Sequence, residues 1–217
     1  MRRPQTSGLR SRSPRGADAP PPAMSDPIVL RTKRTILRTW RNADRATFAA
    51  MNADPAVMEH FPEPLSRRAS DDLADSIRGG IDERGWGLWA LEIPGVTEFA
   101  GFVGLNPVTF ELPVELAERP ALEIGWRLTR STWGHGYASE AATTALDTAF
   151  DRLGRAEVVS FTTPANERSQ RVMRAIGLHR DPADDFVHPR MIERGFPAMG
   201  PHVLYRITAA KHAERHA

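Results

Sequence analysis

The sequence predicts an α/β (α+β) fold in one domain, and three observations carry that expectation. The chain has 217 residues, enough for one α/β domain with a real core and short for two. Apolar residues make up 41% and charged residues 26%, a globular balance rather than that of a disordered chain. Strand-type and helix-type runs alternate from about residue 28 onward, in the order strand, two helices, three-strand meander, helix, strand, helix, strand.

Taken in order, residues 28–30 and 35–37 read as a strand or tight hairpin. Asn42 is a good helix N-cap, with Ala46, Phe48 and Met51 following it. Asp54-Pro55 and the pair Pro62 and Pro64 break the pattern. Ser66 can cap a second helix that runs through Leu73 and Ile77 to a stop at Gly79-Gly80. Residues 86–93 and 99–105 flank Pro94-Gly95, the punctuation of a hairpin. Residues 106–120 contain prolines and scattered acids and read as a loop, before a strand at 121–128. Ala138, Ala141, Ala142, Ala145, Leu146, Ala149, Phe150 and Leu153 then share one face of a helix that Gly154 ends. A strand at 157–162 follows, and a short helix with Asn166 as N-cap and Gly177 as its stop. A long loop containing His and Pro leads to a closing strand at 203–207.

Charge and composition exclude several function classes. Five arginines and one acid, Asp18, fall in residues 1–24, a Pro/Ser/Arg-rich stretch without apolar periodicity that reads as a disordered tail. Met24 precedes plausible folded sequence, so this stretch is either a genuine tail or lies upstream of the true start. The remaining residues hold 24 basic and 26 acidic side chains, so the positive charge sits on the tail and a nucleic-acid partner is not expected. No run approaches a membrane span, so no membrane partner is expected either. Absence of cysteine removes disulfides, Cys-based metal sites and an acyl-cysteine intermediate, and fits a cytoplasmic location. His188 and His202 lack a third ligand at metal spacing, so no metal is expected. A domain over residues 25–210 and a C-terminal tail over 211–217 complete the expected organisation.

The informative run is 126–140. A strand ends at Trp126-Arg127-Leu128, Gly134 and Gly136 lie one residue apart, and an amphipathic helix begins. That arrangement exposes backbone N–H groups at the positive end of a helix, which suits a phosphate or pyrophosphate. A Walker loop would need Gly-Lys-Ser/Thr where His135-Gly136-Tyr137 stand. A dinucleotide fingerprint would need a third Gly or Ala at Ser139 and an acid about 20 residues on. A Gly-rich turn without a ligand is the remaining alternative.

The segment resembles the pyrophosphate loop of the GNAT superfamily of N-acetyltransferases, Gln/Arg-x-x-Gly-x-Gly/Ala, with Ser131 where Gln or Arg is usual. Trp133 to Ala141 further resembles Trp-Gly-x-Gly-Tyr-Ala-x-Glu-Ala of the branch that acetylates protein N-termini, the Rim-type ribosomal-protein alanine and serine acetyltransferases. Glu123-Ile124-Gly125-Trp126 resembles that branch's preceding strand, and Asn166-x-x-Ser169 closing on Gly177-Leu178 resembles the superfamily's second segment. Asn and Ser there also suit an ordinary helix cap. The resemblance implies a mixed, mostly antiparallel twisted sheet of about six to seven strands with about four helices, and acetyl-CoA as co-substrate. Trp126, Arg127, Leu128, Trp133, Gly134, His135, Gly136, Tyr137, Ala138, Asn166 and Ser169 are the residues it assigns to acetyl-CoA.

The acceptor it implies is an amine, of a protein N-terminus or of a small molecule such as a metabolite or antibiotic, in a groove expected from residues 54–84, 106–120 and 180–201, where nothing spells out a substrate. A non-catalytic CoA-binding module is the alternative from another class. Self-association as a homodimer is compatible with the sequence, which does not fix a stoichiometry. An ammonium must lose a proton before it attacks a thioester, and without cysteine, direct transfer in a ternary complex is expected. Backbone N–H groups at 126–128 are the expected oxyanion donors. Glu123 interrupts an apolar strand and is the candidate base. Met173 stands where many relatives have a thiolate-protonating Tyr, which leaves Ser169 as candidate acid. For Glu140 a structural role is expected, and Arg168, Arg171 and Arg174 are either phosphate contacts or a solvated helix face.

Overall fold

The computed structural model describes residues 27–117 and 119–215. The tail expected at 1–24 lies outside these residues. Nine strands among the described residues form one sheet: β1 Leu30–Arg31, β2 Ile36–Arg38, β3 Leu88–Ile93, β4 Thr97–Pro107, β5 Leu122–Leu128, β6 Glu157–Thr162, β7 His179–Arg180, β8 Phe186–Val187 and β9 Pro201–Thr208. Their order is β1-β2-β3-β4-β5-β6-β9-β7, with β8 pairing β9. All neighbours are antiparallel except β5 and β6. A parallel step needs a crossover, and here α3 (Tyr137–Asp147) supplies it. The other helices are α1 Asp44–Ala53, α2 Arg67–Arg84, α4 Glu167–Ala175, α5 Pro189–Glu193 and α6 Ala209–Glu214.

One core joins the sheet to its helices through Leu37, Phe48, Ile81, Trp89, Leu105, Ile124, Leu146 and Met173, all essentially inaccessible. Each such side chain contributes about 1.5–3 kcal/mol on burial. A smaller cluster of Val108, Leu112, Val159, Phe186 and Leu204 lies under the loop before β5.

Several boundaries differ from the sequence expectation. Helix α1 starts at Asp44 with Ala43 at its N-cap, not Asn42. Asp44 satisfies the entering backbone itself, accepting from Arg41 N–H at 2.7 Å while both its oxygens bind Arg38 at 2.9 Å. Helix α2 is capped by Ser66 as expected, but it passes through Gly79-Gly80 to Arg84, with Gly85 left-handed at φ 78°. Two glycines cost about 1 kcal/mol each in a helix, and full burial of Ile81, the next residue, offsets that. Helix α3 gives way at Thr148 to a π-helical turn through Arg152. Short strands β7 and β8 and helix α5 interrupt the stretch read as loop, because β9 offers them an edge that no local periodicity announces. Beyond residue 210 the chain continues in α6, with His212 buried.

Candidate active site

The sheet opens between β5 and β6. One residue pair, Glu123 opposite Val159, registers the parallel contact, and no further pair joins the two strands among the described residues. On its other edge β5 is fully laddered to β4, from Leu122 opposite Pro107 to Leu128 opposite Gly101. Thr129 N–H donates to Ala100 O and Val108 N–H to Ala121 O, both at 2.8 Å, so odd-numbered residues of β5 make the ladder bonds. The N–H and C=O groups of Ile124, Trp126 and Leu128 therefore face the gap. Trp133 Nε1–H takes up Leu128 O at 2.9 Å, which leaves the N–H groups of Trp126 and Leu128 aimed at the opening.

Beyond the gap the chain makes a turn of 3₁₀ helix, Arg130–Thr132, and enters α3 through Gly134 and Gly136. Both glycines are left-handed, at φ 79° and 80°, a region that side chains with a Cβ disfavour. A Cβ at Gly134 would meet nothing within 4 Å, so this loop borders open space. The first N–H groups of α3 have no partner within the helix, so the loop presents donors at the positive helix end. Glu140 holds this loop in place. It accepts from Thr32 Oγ1 at 2.6 Å, Arg34 N–H at 2.8 Å and Arg34 Nε at 2.6 Å, tying the β1–β2 turn to α3.

Helix α4 closes the same side of the opening. Asn166 Oδ1 accepts from Ser169 N–H at 3.1 Å, and its Nδ2 donates to Thr162 Oγ1 at 2.9 Å. Asn166 is thus committed to capping, while Ser169 keeps its hydroxyl at the cleft wall. Met173 is buried in the same wall, and its thioether offers no proton.

A cleft of about 860 Å³ runs from the loop through the gap to the opposite face of the sheet. Glu123, Gly125 and Arg127 alternate onto that far face. Burial pushes the Glu123 carboxyl up to about 8, so it holds its proton at neutral pH. Burial also brings Arg127 down to about 10, which leaves it charged. His188 and His202, whose ring centroids are 5.0 Å apart, are neutral: burial drives His188 to about 4 and lowers His202 as well. His202 Nδ1–H donates to Gly200 O at 2.9 Å, so its Nε2 remains an acceptor. Phe61, Phe161, Met191 and Met199 make the rest of this end apolar.

The cleft brings together Glu123, Trp126, Arg127, Leu128, Trp133, Gly134, Gly136, Tyr137, Ala138, Asn166 and Ser169. His135 stays apart: it is exposed, with its ring 5.7 Å from Tyr137 and its carbonyl bound by Arg34. Arg168 covers Trp133 at 4.4 Å and binds Glu59, Arg171 reaches the cleft, and Arg174 turns to Tyr205. Of the stretches expected to build the acceptor groove, 54–84 supplies Phe61 and 180–201 supplies His188, Met191 and Met199, while His202 and, behind the wall, Asn52 lie outside them. No periodicity or spacing links them, and only the isolated acid at Glu123 marked that end.

The glycine loop, the splayed strands and the capped α4 fit the pyrophosphate, acetyl and pantetheine parts of acetyl-CoA. Residues 34–179 match the Acetyltransferase (GNAT) domain. The uncharacterised protein YkkB of Bacillus subtilis (strain 168) is 31% identical over 159 residues, which cover 72% of this chain and 88% of that one. FsC-acetyl coenzyme A-N(2)-transacetylase of Aspergillus fumigatus is 39% identical over 156 residues, 69% of this chain and 64% of that protein. In fold the chain is similar to a GNAT-family acetyltransferase of Bacillus anthracis. The TM-score is 0.68 at 21% identity, over 84% of this chain and 99% of the other.

Proposed function

The chain belongs to the GNAT acetyltransferase family, and on that premise we propose that it acetylates the α-amine of a protein or peptide N-terminus. Membership makes it an acyltransferase that acts on amines and uses acetyl-CoA. The observation that carries the proposal is the gap at β5/β6, where two free backbone donors stand between a glycine loop at a helix N-terminus and a neutralised carboxyl.

When bound, acetyl-CoA supplies an acetyl group activated as a thioester. The α3 N-terminus with Gly134 and Gly136 holds the pyrophosphate. Trp126 N–H and Leu128 N–H stabilise negative charge developing on the acetyl oxygen. Glu123, once ionised, takes the proton of the attacking amine at a carboxylate oxygen, and its raised pKa makes it a competent base near pH 8. Ser169 Oγ–H gives a proton to the departing sulfur. A thiol's ordinary pKa near 8.5 makes this step helpful rather than decisive. Residues 25–210 carry these functions, and a cytoplasmic location belongs to the same proposal, supported by a chain without cysteine.

The peptide reading is supported by the resemblance of residues 133–141 to N-terminal acetyltransferases and by an apolar, uncluttered acceptor end. An amine-rich sugar would call for carboxylates there, whereas the charged group present is Arg127. A second reading, a small-molecule amine, is favoured by the relative named as an FsC N(2)-transacetylase. Calorimetric titration with acetyl-CoA, followed by thiol release with N-terminal peptides and small amines, tests both. Micromolar binding with peptide-dependent release is expected. Release with small amines alone would move the conclusion to the second reading, and no acetyl-CoA binding would sink both.

A further inference from the structure

Arg127 is a cation with a purpose the fold does not explain. Its Nη1 donates to Asn52 Oδ1 at 2.7 Å, and Asn52 in turn donates to Ser70 Oγ at 2.9 Å. Its Nε is buried without a hydrogen-bond partner. No carboxylate among the described residues pairs with it, and burial is the one influence acting on its charge. Phe61 lies 4.0 Å and Phe102 5.6 Å from the guanidinium carbon, contacts that orient the plane and partly offset desolvation. A half-buried arginine on the wall of the cleft, with five donors of which one is bonded to a neutral amide, has donors left for an anion.

What lies beside it indicates where that anion belongs. Gly125 falls between Glu123 and Arg127 on the same face, and a Cβ there would meet just one atom, Glu123 Oε1 at 3.9 Å. The absent side chain leaves a floor between the carboxyl and the cation, whose Cα atoms are roughly 13 Å apart along an extended strand. The other ionisable groups lining this end, His60, Glu123, His188 and His202, are neutral at pH 7, and Arg190, whose charge also acts on His188, is exposed outside the cleft, so Arg127 is the cation that faces the floor.

We infer that Arg127 determines acceptor specificity by binding a carboxylate that the acceptor carries several bonds from its reacting amine. Such a carboxylate would take the Nη2 donors, which no hydrogen bond within the fold uses, in a charge-assisted contact. The amine would then lie over Gly125, next to Glu123. This deepens the acetyltransferase reading and rests on it. The same chemistry could come from a peptide with an acidic residue next to its N-terminus, or from a small amino acid with a long spacer.

Matched acceptor pairs test it on the full-length chain loaded with acetyl-CoA. One pair is Ser-Asp and Ser-Asn peptides of otherwise equal sequence; the other is 6-aminohexanoate and its amide. Thiol release gives kcat/KM, and thermal shift of the CoA-bound protein gives binding without chemistry. In at least one pair the carboxylate member should be preferred at least about 10-fold, through KM rather than kcat, as charge-assisted hydrogen bonds allow. Arg127→Gln should bring that ratio within twofold, and Arg127→Lys should keep part of it. Preference confined to one pair identifies the source. Ratios below twofold in both pairs with wild-type protein, or a preference that survives Arg127→Gln, would overturn the inference while leaving acetyl transfer intact. Arg127-dependent binding of the carboxylate member without thiol release would uphold the inference and count against the catalytic reading. Because the wild-type ratios decide by themselves, a misfolded variant does not rescue the idea.

Discussion

The two ends of the cleft are built in opposite ways. The loop end is contiguous: residues 126–140 supply the gap donors, both glycines, the start of α3 and the Glu140 staple. The acceptor end is assembled from Phe61 beyond α1, Glu123 to Arg127 on β5, with Asn52 of α1 behind Arg127, and His188, Met191, Met199 and His202 from the far end of the chain. The first is held by backbone conformation, the second by long-range packing. A contiguous site tolerates change around it and fails when its own backbone is altered. An assembled site can lose one group and keep its shape, so its variants should separate binding from turnover.

The sharpest way to break the comparison is at Gly136. A valine there must adopt φ near 80° with a β-branched side chain, at a cost of about 1–3 kcal/mol. Gly136→Val should weaken acetyl-CoA binding about 100-fold or more by calorimetry. An affinity within threefold of wild type would mean that the loop is an ordinary turn.

At the other end, Glu123→Gln should lower kcat about 100-fold while acetyl-CoA affinity stays within twofold. The wild-type rate should rise with pH through a midpoint near 8, and the variant should lack that rise. Stability gives an independent readout. Below pH 4.5 the carboxyl is protonated folded or unfolded, so burial has no electrostatic cost. Between 4.5 and about 8 the folded state keeps a proton that the unfolded state releases, so stability falls with rising pH. Above about 8 the loss is complete. Glu123→Gln should therefore be more stable than wild type at pH 9, by about 1–3 kcal/mol in urea titrations, and equal to it at pH 4. Equal denaturation midpoints at both pH values would show that Glu123 is not held in a charge-excluding position.

Smaller effects come from the boundary between the ends. Ser169→Ala should reduce kcat about 3–10-fold, with acetyl-CoA binding nearly unchanged, since the cap donor is the Ser169 backbone N–H rather than its hydroxyl. A loss above 100-fold would make the hydroxyl decisive, and no loss would leave it a wall group. Removal of residues 1–23 should change neither acetyl-CoA affinity nor turnover beyond twofold. A larger change would assign the arginine-rich tail a part in substrate capture.

Legibility in the sequence follows the same division. Glycines one residue apart before an alanine-lined helix, and Asn166 three residues before Ser169, encode local geometry, and local geometry is readable. The fold class and the strand–helix order belong to that kind of information too. Misread points were those where a tertiary contact overrode a local cue. Gly79-Gly80 did not stop α2, because Ile81 still had a core to enter. Asn42 did not cap α1, because Asp44 takes the Arg41 N–H itself and is held by Arg38, which Glu92 of β3 fixes in turn.

By itself, then, the sequence determined the loop end, since a left-handed glycine, a helix N-terminus and an Asn N-cap are properties of a few consecutive residues. Tertiary structure alone decided the acceptor end. Glu123, Arg127, His188 and His202 are ordinary titratable residues in the chain. Their charge states and their common wall come from desolvation between elements up to 150 residues apart, and burial is a property of the folded whole.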